Sequence, residues 1–388
     1  MNIAFVCDSV MYGLSGAYIS TLRFAELLKK RGHNVILITS RHPGTKKEEY
    51  YHGMKTYRIF SLPFPKTNKQ FYMSFPKKSE LKKILVKEKI DILHVVDPGP
   101  STKISIKVAQ SLGIKAVAHC HGKVENWSLW IPKFIEVKNI ERLFYKFIFW
   151  MYRGCDIIIS PSKKNQEILQ KYNSSARVEV ISNGINKEIY RKRKFSDFLL
   201  KFKLPKKPKK LLFVGRLQHE KDVTTLIKAM PYVLEGYKNV HLILVGEGPL
   251  EKEMKHLSEE LGLSKNVSFI GKLLPESKDL VEAYNSADIL ILPSIAEIES
   301  LVIFEAMACG KPIIISDSSS NGSAIFVTDN GLRFKTKNYK DLAEKIGILL
   351  KNDKLREKMA DNSFQKSKEY RIDKSVKKLE ELYKSLLR

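Results

Sequence analysis

Two stretches of the chain repeat the order strand, glycine-containing loop, helix, strand, and this repeat limits the fold more than any other feature. The first repeat occupies residues 2–38, with Gly13 and Gly16 in its loop, and the second occupies residues 210–246. Each is the beginning of a βαβ arrangement, which requires parallel strands. Two separate beginnings predict an α/β protein of two Rossmann-like domains that face a central cleft, where a ligand is expected to bind.

The crossing between the two domains is predicted in the basic, proline-containing segment 187–210. The N-terminal domain is then residues 1–195 and the C-terminal domain residues 196–373. The last segment, 374–388, has apolar residues on one side of a predicted helix. We expect this helix to pack back on the N-terminal domain.

The charge of the chain favours anionic partners. Its 388 residues include 68 Lys and Arg against 42 Asp and Glu, a formal net charge of +26. Such a field attracts nucleic acid, acidic membranes or phosphorylated small molecules and does not choose among them. The four cysteines form no CxxC pair, and no signal peptide or spanning apolar run is recognised. We therefore expect a protein of the reducing cytoplasm, either free or peripheral on the cytoplasmic face of the membrane.

Two glutamates bracket a loop and the start of a helix between two apolar strands. Glu297 lies on the loop after the strand at 289–292, and Glu305 lies inside a helix predicted at 303–309. The amides that open this helix point to the carboxyl ends of the strands, where open parallel sheets bind ligands. The glutamates could therefore contact the two ends of a polar ligand with an anionic middle. Alternatively, they only complement the helix dipole.

Arg216 and Lys221 leave the first strand of the second domain on a loop directed at the same cleft. Two cations near a helix start suit a diphosphate, because guanidinium binds oxygens in pairs and ammonium adds a point charge. The alternative is a solvated loop in a basic protein. Nicotinamide chemistry is not expected, since GxGxxG is absent and the strand ending at Thr39 and Ser40 brings no acidic residue for a ribose.

His119 and His121 alternate at a strand end, so both side chains are expected on one face. Two histidines can form part of a metal site, but no third ligand is recognised, and no metal is predicted. His121, followed by Gly122 at the mouth of the cleft, is the better candidate for contact with a substrate.

The segment 133–152 mixes aromatic and basic residues and permits two interpretations. It forms either a core-packing helix with a solvated face or a helix that lies on a membrane surface. Lysines elsewhere in the first domain would support contact with anionic lipid; they are Lys66, Lys69, Lys77, Lys78, Lys82, Lys83 and Lys87.

On these residues the chain resembles the retaining glycosyltransferases of glycosyltransferase family 4, which have the GT-B architecture. The resemblance extends over essentially the whole chain. Its most specific part is Glu297-x7-Glu305, followed by the run from Ala306 to Pro312. Gly215-Arg216-x4-Lys221, the N-terminal glycine loop and His121 occur in the matching order around it.

The resemblance implies a role for each of these positions. Arg216 and Lys221 would bind the diphosphate of a nucleotide-sugar and stabilise it as the leaving group. Glu305 would hold the ribose hydroxyls, and Glu297 would contact hydroxyls of the transferred sugar. His121 would touch the sugar near the reacting carbon. The catalytic residues are therefore expected to be His121, Arg216, Lys221 and Glu297. Glu305 is expected to serve donor binding alone.

The amides of Leu301 and Val302, with Gly16 from the first domain, would meet the donor phosphates. The resemblance implies no cofactor or metal and a UDP-sugar as donor, with a GDP-sugar as the alternative. The stretch 119–126 is similar to enzymes that glycosylate lipids or surface polysaccharides, which implies a lipid or glycan acceptor. An anionic membrane surface is a further candidate partner, and no nucleic acid is expected.

Three departures from the family pattern bear on the sugar pocket: Ser300 stands where many relatives have glycine, Glu299 adds a carboxylate, and Asp222 replaces a small residue. They leave the donor sugar open. The competing hypothesis is a non-catalytic protein that binds nucleotides or nucleic acid in the same cleft. A sugar phosphorylase or epimerase is a third, and the lack of a recognisable cofactor-lysine segment disfavours the phosphorylase.

Overall fold

The computed structural model describes residues 1–8, 16–63, 72–96, 98–122, 137–193 and 197–388, with the backbone alone at 137–139. The chain forms two compact units. The first combines Met1–Asn183 with Ile372–Arg388, and the second is Gly184–Arg371. In the described residues no helix is long and apolar enough to cross a membrane.

The first unit, which contains the N-terminal segment of the chain, is built on one large sheet. Its strands and helices are β1 (Asn2–Val6), α1 (Gly16–Lys30), β2 (Asn34–Ser40), β3 (Glu48–Tyr51), β4 (Met54–Ile59), β5 (Ser61–Pro63), β6 (Tyr72–Ser74), α2 (Lys78–Lys87), β7 (Ile92–Val95), α3 (Pro100–Ser111), β8 (Lys115–His119), α4 (Val137–Tyr152), β9 (Ile157–Ser160), α5 (Lys163–Tyr172) and β10 (Val178–Val180). The eight-stranded sheet has the order β10-β9-β8-β7-β1-β2-β4-β3. Only the edge strand β3 is antiparallel among the pairings described in this sheet.

The second unit repeats the parallel architecture in a smaller form. Its elements are α6 (Phe198–Lys201), β11 (Lys209–Val214), α7 (Val223–Gly236), β12 (Val240–Val245), α8 (Glu251–Glu260), β13 (Val267–Gly271), α9 (Lys278–Ser286), β14 (Ile289–Leu292), α10 (Leu301–Ala308), β15 (Ile313–Ser316), β16 (Gly331–Phe334), α11 (Tyr339–Lys351) and α12 (Asp353–Lys366). Its sheet has the order β13-β12-β11-β14-β15-β16. Strand order therefore reverses between β11 and β14, and ligands of open α/β sheets bind at the carboxyl ends beside such a reversal.

The central strands of the second unit are apolar on both faces because helices cover both. Every residue of β14 and β15 is buried. Leu290 belongs to the core on one side of the sheet, and its neighbour Ile291 belongs to the core on the other. This continuous apolar character is typical of parallel strands covered on both faces. It explains why the strands are easy to recognise in the sequence.

The boundary between the units lies earlier than the predicted 195–196. The amide of Ile185 donates to the carbonyl of Tyr370 at 2.7 Å, and Ile185 and Tyr190 are fully buried in the core of the second unit. Packing, which the local sequence does not show, therefore assigns residues 184–193 to the second unit.

The C-terminal helix α13 (Ile372–Leu387) belongs to the first unit. Its apolar side, with Val376, Leu379 and Tyr383, is buried. Glu380 on α13 pairs with Arg31, which follows α1, at 2.7 Å. The chain thus returns to its N-terminal unit at its end.

Candidate active site

The loop after β11 is held by close contact between two backbones. A methyl group added at Gly246 would lie 1.8 Å from the carbonyl oxygen of Gly215. One residue further on, the amide of Leu217 donates to the carbonyl of Glu247 at 3.0 Å. Glycine is therefore required at 246 to let the loop after β12 support the loop that carries Arg216. The segment Gly246–Gly248 thus has a structural use.

Arg216 lies beside an acidic residue that the sequence reasoning did not single out. Its Nη2 atom is 3.5 Å from Oε1 of Glu220, whose side chain is only 8% exposed. The carbonyl of Glu220 accepts a hydrogen bond of 2.8 Å from the amide of Ile295, which follows β14. Glu220 therefore links the loops of the two strands at the reversal. The sequence feature that could have identified Glu220 is its position four residues after Arg216.

Lys221 and Glu297, 76 residues apart, form a direct ion pair. Lysine Nζ donates to glutamate Oε1 at 2.6 Å, and the two side chains are 17% and 10% exposed. Each charge is thus compensated in a site largely shielded from water, where an unpaired charge is costly. The structure brings together two residues that the sequence assigned to one site.

The loop that carries Glu297 is fixed by the loop after β15. The carbonyl of Glu297 accepts from the amide of Gly322 at 2.8 Å, and the fully buried Asn321 donates through Nδ2 to the carbonyl of Ser294 at 3.1 Å. A methyl group at Gly322 would lie 2.5 Å from the carbonyl oxygen of Ile298. The position of Glu297 thus depends on residues well beyond its own motif.

The helix α10 begins two residues earlier than predicted. The amide of Ser300, the residue before it, donates to Oγ of Ser323 at 2.8 Å, and the first turn contains Leu301 and Val302. The first amides of a helix have no carbonyl partner within it and carry partial positive charge. One turn further, Glu305 is 4% exposed, and its Oε2 accepts a hydrogen bond from the hydroxyl of Tyr284 at 2.8 Å.

Lys311, in the run that follows Glu305, has a structural role. Its Nζ donates to the carbonyls of Asn285 and Ala287, at 2.9 and 2.8 Å, and so holds the C-terminal end of α9. Burial lowers the pKa of this ammonium group. The nearby thiol of Cys309 is also buried, and its pKa is raised to about 12, so it is a neutral packing residue. Neither residue is a candidate for chemistry.

Together, the second unit presents two cations, two carboxylates and a helix N-terminus at the carboxyl ends of β11 and β14. Arg216 and Lys221 follow the first strand, and Glu297 follows the second. An arrangement of this kind can bind a dianionic group on the cations and amides while its carboxylates accept hydrogen bonds from hydroxyl groups.

The remaining predicted residues lie in the first unit. Gly16 is the first residue of α1, whereas Gly13 lies outside the described residues. His121 follows β8, and its ring centroid lies 4.2 Å from that of His119, so the two side chains share one side as expected. The next ring is His94, 5.6 Å from His119, and its Nδ1 lies 2.5 Å from the hydroxyl oxygen of Tyr383 on α13.

These histidines are neutral at physiological pH. Burial lowers the pKa of His94 and of His121 to about 3 and that of His119 well below its ordinary value. His121 is partly exposed as a residue, but its Nε2 atom is inaccessible to water. In the described part of the chain, no three His, Cys, Asp or Glu residues are grouped to hold a metal ion. A neutral imidazole can still form one directed hydrogen bond with a substrate.

We expect the buried histidines to make the protein sensitive to acid. In the unfolded chain His94 and His121 bind protons below a pH of about 6.5, whereas in the native chain their lowered pKa values of about 3 keep them neutral until far lower pH. Stability is therefore full above pH of about 6.5 and falls as the pH decreases, by about 1 kcal/mol per histidine for each pH unit. Urea unfolding at several pH values should show this slope. The slope should be smaller in His121→Asn than in the wild type, because one of the buried histidines has been removed; equal slopes in the two proteins would contradict the assignment.

Comparison with known proteins is consistent with this geometry. A sequence profile described as Glycosyltransferase Family 4 matches residues 14–189, and one described as Glycosyl transferases group 1 matches residues 196–366. The alpha-monoglucosyldiacylglycerol synthase of Streptococcus pneumoniae is 25% identical over 325 residues, which cover 81% of this chain and 70% of that protein.

Solved structures share the fold of the whole chain. Sucrose-phosphate synthase from Thermosynechococcus elongatus superposes with a TM-score of 0.81 at 20% identity and covers 100% of this chain and 99% of its own. HepE of Anabaena, in complex with UDP-glucose, superposes with a TM-score of 0.78 at 17% identity, covering 99% of this chain and 100% of its own. The two profiles, the relative and the two Rossmann-like units lead to one conclusion: the chain belongs to the family 4 glycosyltransferases and has their GT-B fold.

Proposed function

We propose that the protein transfers a sugar, with retention of configuration, from a UDP-sugar to a hydroxyl group of a lipid, a lipid-linked glycan or a polysaccharide. A GDP-sugar is the alternative donor. The observation that carries the proposal is the ion pair of Lys221 with Glu297, beside Arg216 and the start of α10, where strand order reverses.

Breaking the bond between sugar and phosphate builds negative charge on the diphosphate and positive charge on the sugar ring. Arg216 and Lys221 stabilise the leaving diphosphate, and the amides of Leu301 and Val302 add to this stabilisation. Because these groups are already in position, they lower the barrier without reorganising during the reaction. Gly16, at the start of α1, adds amide contacts from the first unit.

The ion pair suggests how donor binding is coupled to sugar recognition. Before the donor binds, Lys221 and Glu297 compensate each other at 2.6 Å. The diphosphate takes over the contact with Lys221, which leaves the carboxylate of Glu297 to accept hydrogen bonds from the sugar hydroxyls. Glu305 accepts from the ribose hydroxyls. Two carboxylates therefore serve two different parts of one donor.

His121 contacts the sugar near the reacting carbon. Its neutral state, which follows from a pKa of about 3, means that it does not repel the positive charge that develops on the ring. It can instead orient one sugar hydroxyl through a single hydrogen bond. Retention then follows a front-face route, in which the acceptor attacks the face that the diphosphate leaves, and no protein nucleophile is assigned.

The comparisons support the choice of donor and acceptor. The pneumococcal relative is named for the synthesis of a glucosylated diacylglycerol, and the Anabaena protein was solved with UDP-glucose. The first name fits an acceptor that carries a lipid, and the second fits a donor nucleotide with two phosphates.

We also propose that α4 contacts the membrane from which a lipid acceptor comes. Its inner side packs in the core through Phe144 and Ile148, as the first interpretation of the sequence expects. Its outer side exposes Arg142, Lys146 and Trp150. A helix with basic and aromatic residues on its outer side is suited to the interface of an anionic bilayer.

Replacing Arg142 and Lys146 with glutamine should weaken binding to anionic vesicles by about 2 kcal/mol, because each basic residue near such a surface contributes about 1 kcal/mol. Co-sedimentation with vesicles of phosphatidylglycerol and phosphatidylcholine measures the effect. The matched control replaces Lys354 and Lys358, an exposed pair at the same spacing on α12, and should bind as the wild type does. Equal sedimentation of the wild type with neutral and anionic vesicles would exclude this contact.

A panel of nucleotide-sugars tests the proposed reaction. One UDP-sugar is expected to raise the melting temperature and to be consumed with a lipid or glycan acceptor, since a ligand that binds only the native state stabilises it. Nuclear magnetic resonance of the product then reports the anomeric configuration. Inversion would overturn the retaining route. Stabilisation by oligonucleotides but by no nucleotide-sugar would favour the competing nucleic-acid hypothesis.

A further inference from the structure

The carboxylate assigned to the ribose is held by a tyrosine from a different helix. Tyr284 on α9 donates its hydroxyl hydrogen to Oε2 of Glu305 on α10 at 2.8 Å. Tyr284 is fully buried, and Glu305 is 4% exposed. A hydrogen bond to a charged acceptor is stronger and more directional in such surroundings than in water. The bond therefore fixes the position of Oε2 and restrains the orientation of the carboxylate.

Tyr284 can serve only as a donor here. Burial, together with the neighbouring Glu305 carboxylate, raises the pKa of its hydroxyl well above the ordinary value, so it stays protonated. A fixed donor on one carboxylate oxygen favours a single orientation of the group. That orientation matters because the two vicinal hydroxyls of a ribose require acceptors in a defined plane.

A second tyrosine supports the first. The ring of Tyr190 meets that of Tyr284 edge to face, with centroids 6.0 Å apart. The hydroxyl of Tyr190 accepts a hydrogen bond of 3.1 Å from the amide of Glu276, in the loop between β13 and α9. Glu276 has a φ of 62°, a left-handed conformation that is costly for a residue with a side chain. The hydroxyl of Tyr190 therefore bonds to this loop, whereas its ring packs against Tyr284, and phenylalanine would keep the ring.

We propose that Tyr284 is a positioning residue for donor recognition: it orients the Glu305 carboxylate toward the ribose hydroxyls and so sets the preference for a ribonucleotide. This inference rests on the proposed function, which gives Glu305 its ribose contact. It adds a residue outside the glutamate motif to the set that determines donor specificity.

The test compares the binding of UDP with that of 2′,3′-dideoxy-UDP, which lacks both hydroxyls. Calorimetry gives the ratio of the two dissociation constants for each protein, and this ratio does not depend on the fraction of protein that is active. The wild type should prefer UDP, and Glu305→Gln should lose most of this preference. Tyr284→Phe should bind UDP about tenfold more weakly and dideoxy-UDP nearly as the wild type does.

Tyr190→Phe is the matched control, because it removes an equally buried hydroxyl in the same core that is bonded to Glu276 instead of Glu305. Its preference for UDP should remain. If Tyr284→Phe keeps the full preference while Glu305→Gln loses it, or if it loses affinity for both nucleotides equally, the inference is wrong and the proposed function stands. If the wild type binds the two nucleotides equally, the ribose contact of Glu305 fails and the inference fails with it.

Discussion

Lys221→Ala should lower kcat/KM for the donor roughly 30- to 1,000-fold, which corresponds to about 2–4 kcal/mol of transition-state stabilisation. The substitution removes a cation that is only 17% exposed and leaves the Glu297 carboxylate without the partner 2.6 Å away. We expect losses of the same order for Arg216→Ala and Glu305→Ala. Steady-state kinetics with the donor identified by the nucleotide-sugar panel measures all three.

Lys228→Ala is the control for the change in net charge. Lys228 lies on the exposed side of α7, in the same unit as Lys221, and should have no measurable effect. Unchanged kcat/KM in Lys221→Ala, Arg216→Ala and Glu305→Ala would contradict the donor site.

A second substitution, Glu297→Gln, should lower kcat/KM less in the Lys221→Ala background than in the wild type, because the ion pair is already broken there.

Gly246→Ala should destabilise the second unit by about 3 kcal/mol and weaken nucleotide binding as well. The added methyl group would lie 1.8 Å from the carbonyl oxygen of Gly215, and a backbone atom cannot move aside as a flexible side chain can. The φ of 139° at Gly246 adds strain for any other residue. The loop that carries Arg216 must therefore shift. Thermal unfolding and UDP calorimetry measure the two effects.

Gly347→Ala provides the comparison. Gly347 lies inside α11, has no atom within 4 Å of the added methyl group, and should become slightly more stable because alanine favours a helix. Equal melting temperatures for Gly246→Ala and the wild type would mean that the two loops do not touch as described.

The sequence predicts the structure best at positions where one physical requirement determines the type of residue. The apolar strands β11 and β14 are predicted because parallel strands need apolar side chains on both faces. That Lys221 and Glu297 share one site was also predicted, and it follows from strand order, since the loops after two adjacent parallel strands meet at one edge of the sheet; their direct ion pair was not predicted. These features depend on local pattern and on a topology shared by most such sheets.

Contacts between distant segments could not be predicted in the same way. Glu220, Asn321 and Tyr284 act on the candidate site through hydrogen bonds or ion pairs from loops or helices outside the motif. Glu220 had a local signal in its position four residues after Arg216, whereas nothing in the local sequence separates Asn321 and Tyr284 from ordinary polar residues. The β3–β4 hairpin was missed for a related reason: β3 is a short edge strand with little apolar pattern.

The candidate site contains two groups of residues, those that would contact the donor and those that orient them. Residues that would touch the donor were visible as charges at strand ends, whereas the residues that fix their orientation became visible only in the folded chain. Lys311 is the converse case: it lies in the family motif, but it holds the C-terminal end of α9 through two backbone carbonyls. Membership of a motif therefore does not by itself indicate contact with a ligand.

A crystal structure of the UDP complex tests the central claim most directly. It should show the diphosphate within hydrogen-bond distance of Arg216 and Lys221, at the start of α10, with the ribose hydroxyls on Glu305 and the contact between Lys221 and Glu297 lengthened from 2.6 Å. A nucleotide bound elsewhere, with that ion pair intact, would contradict the claim that these residues form the donor site.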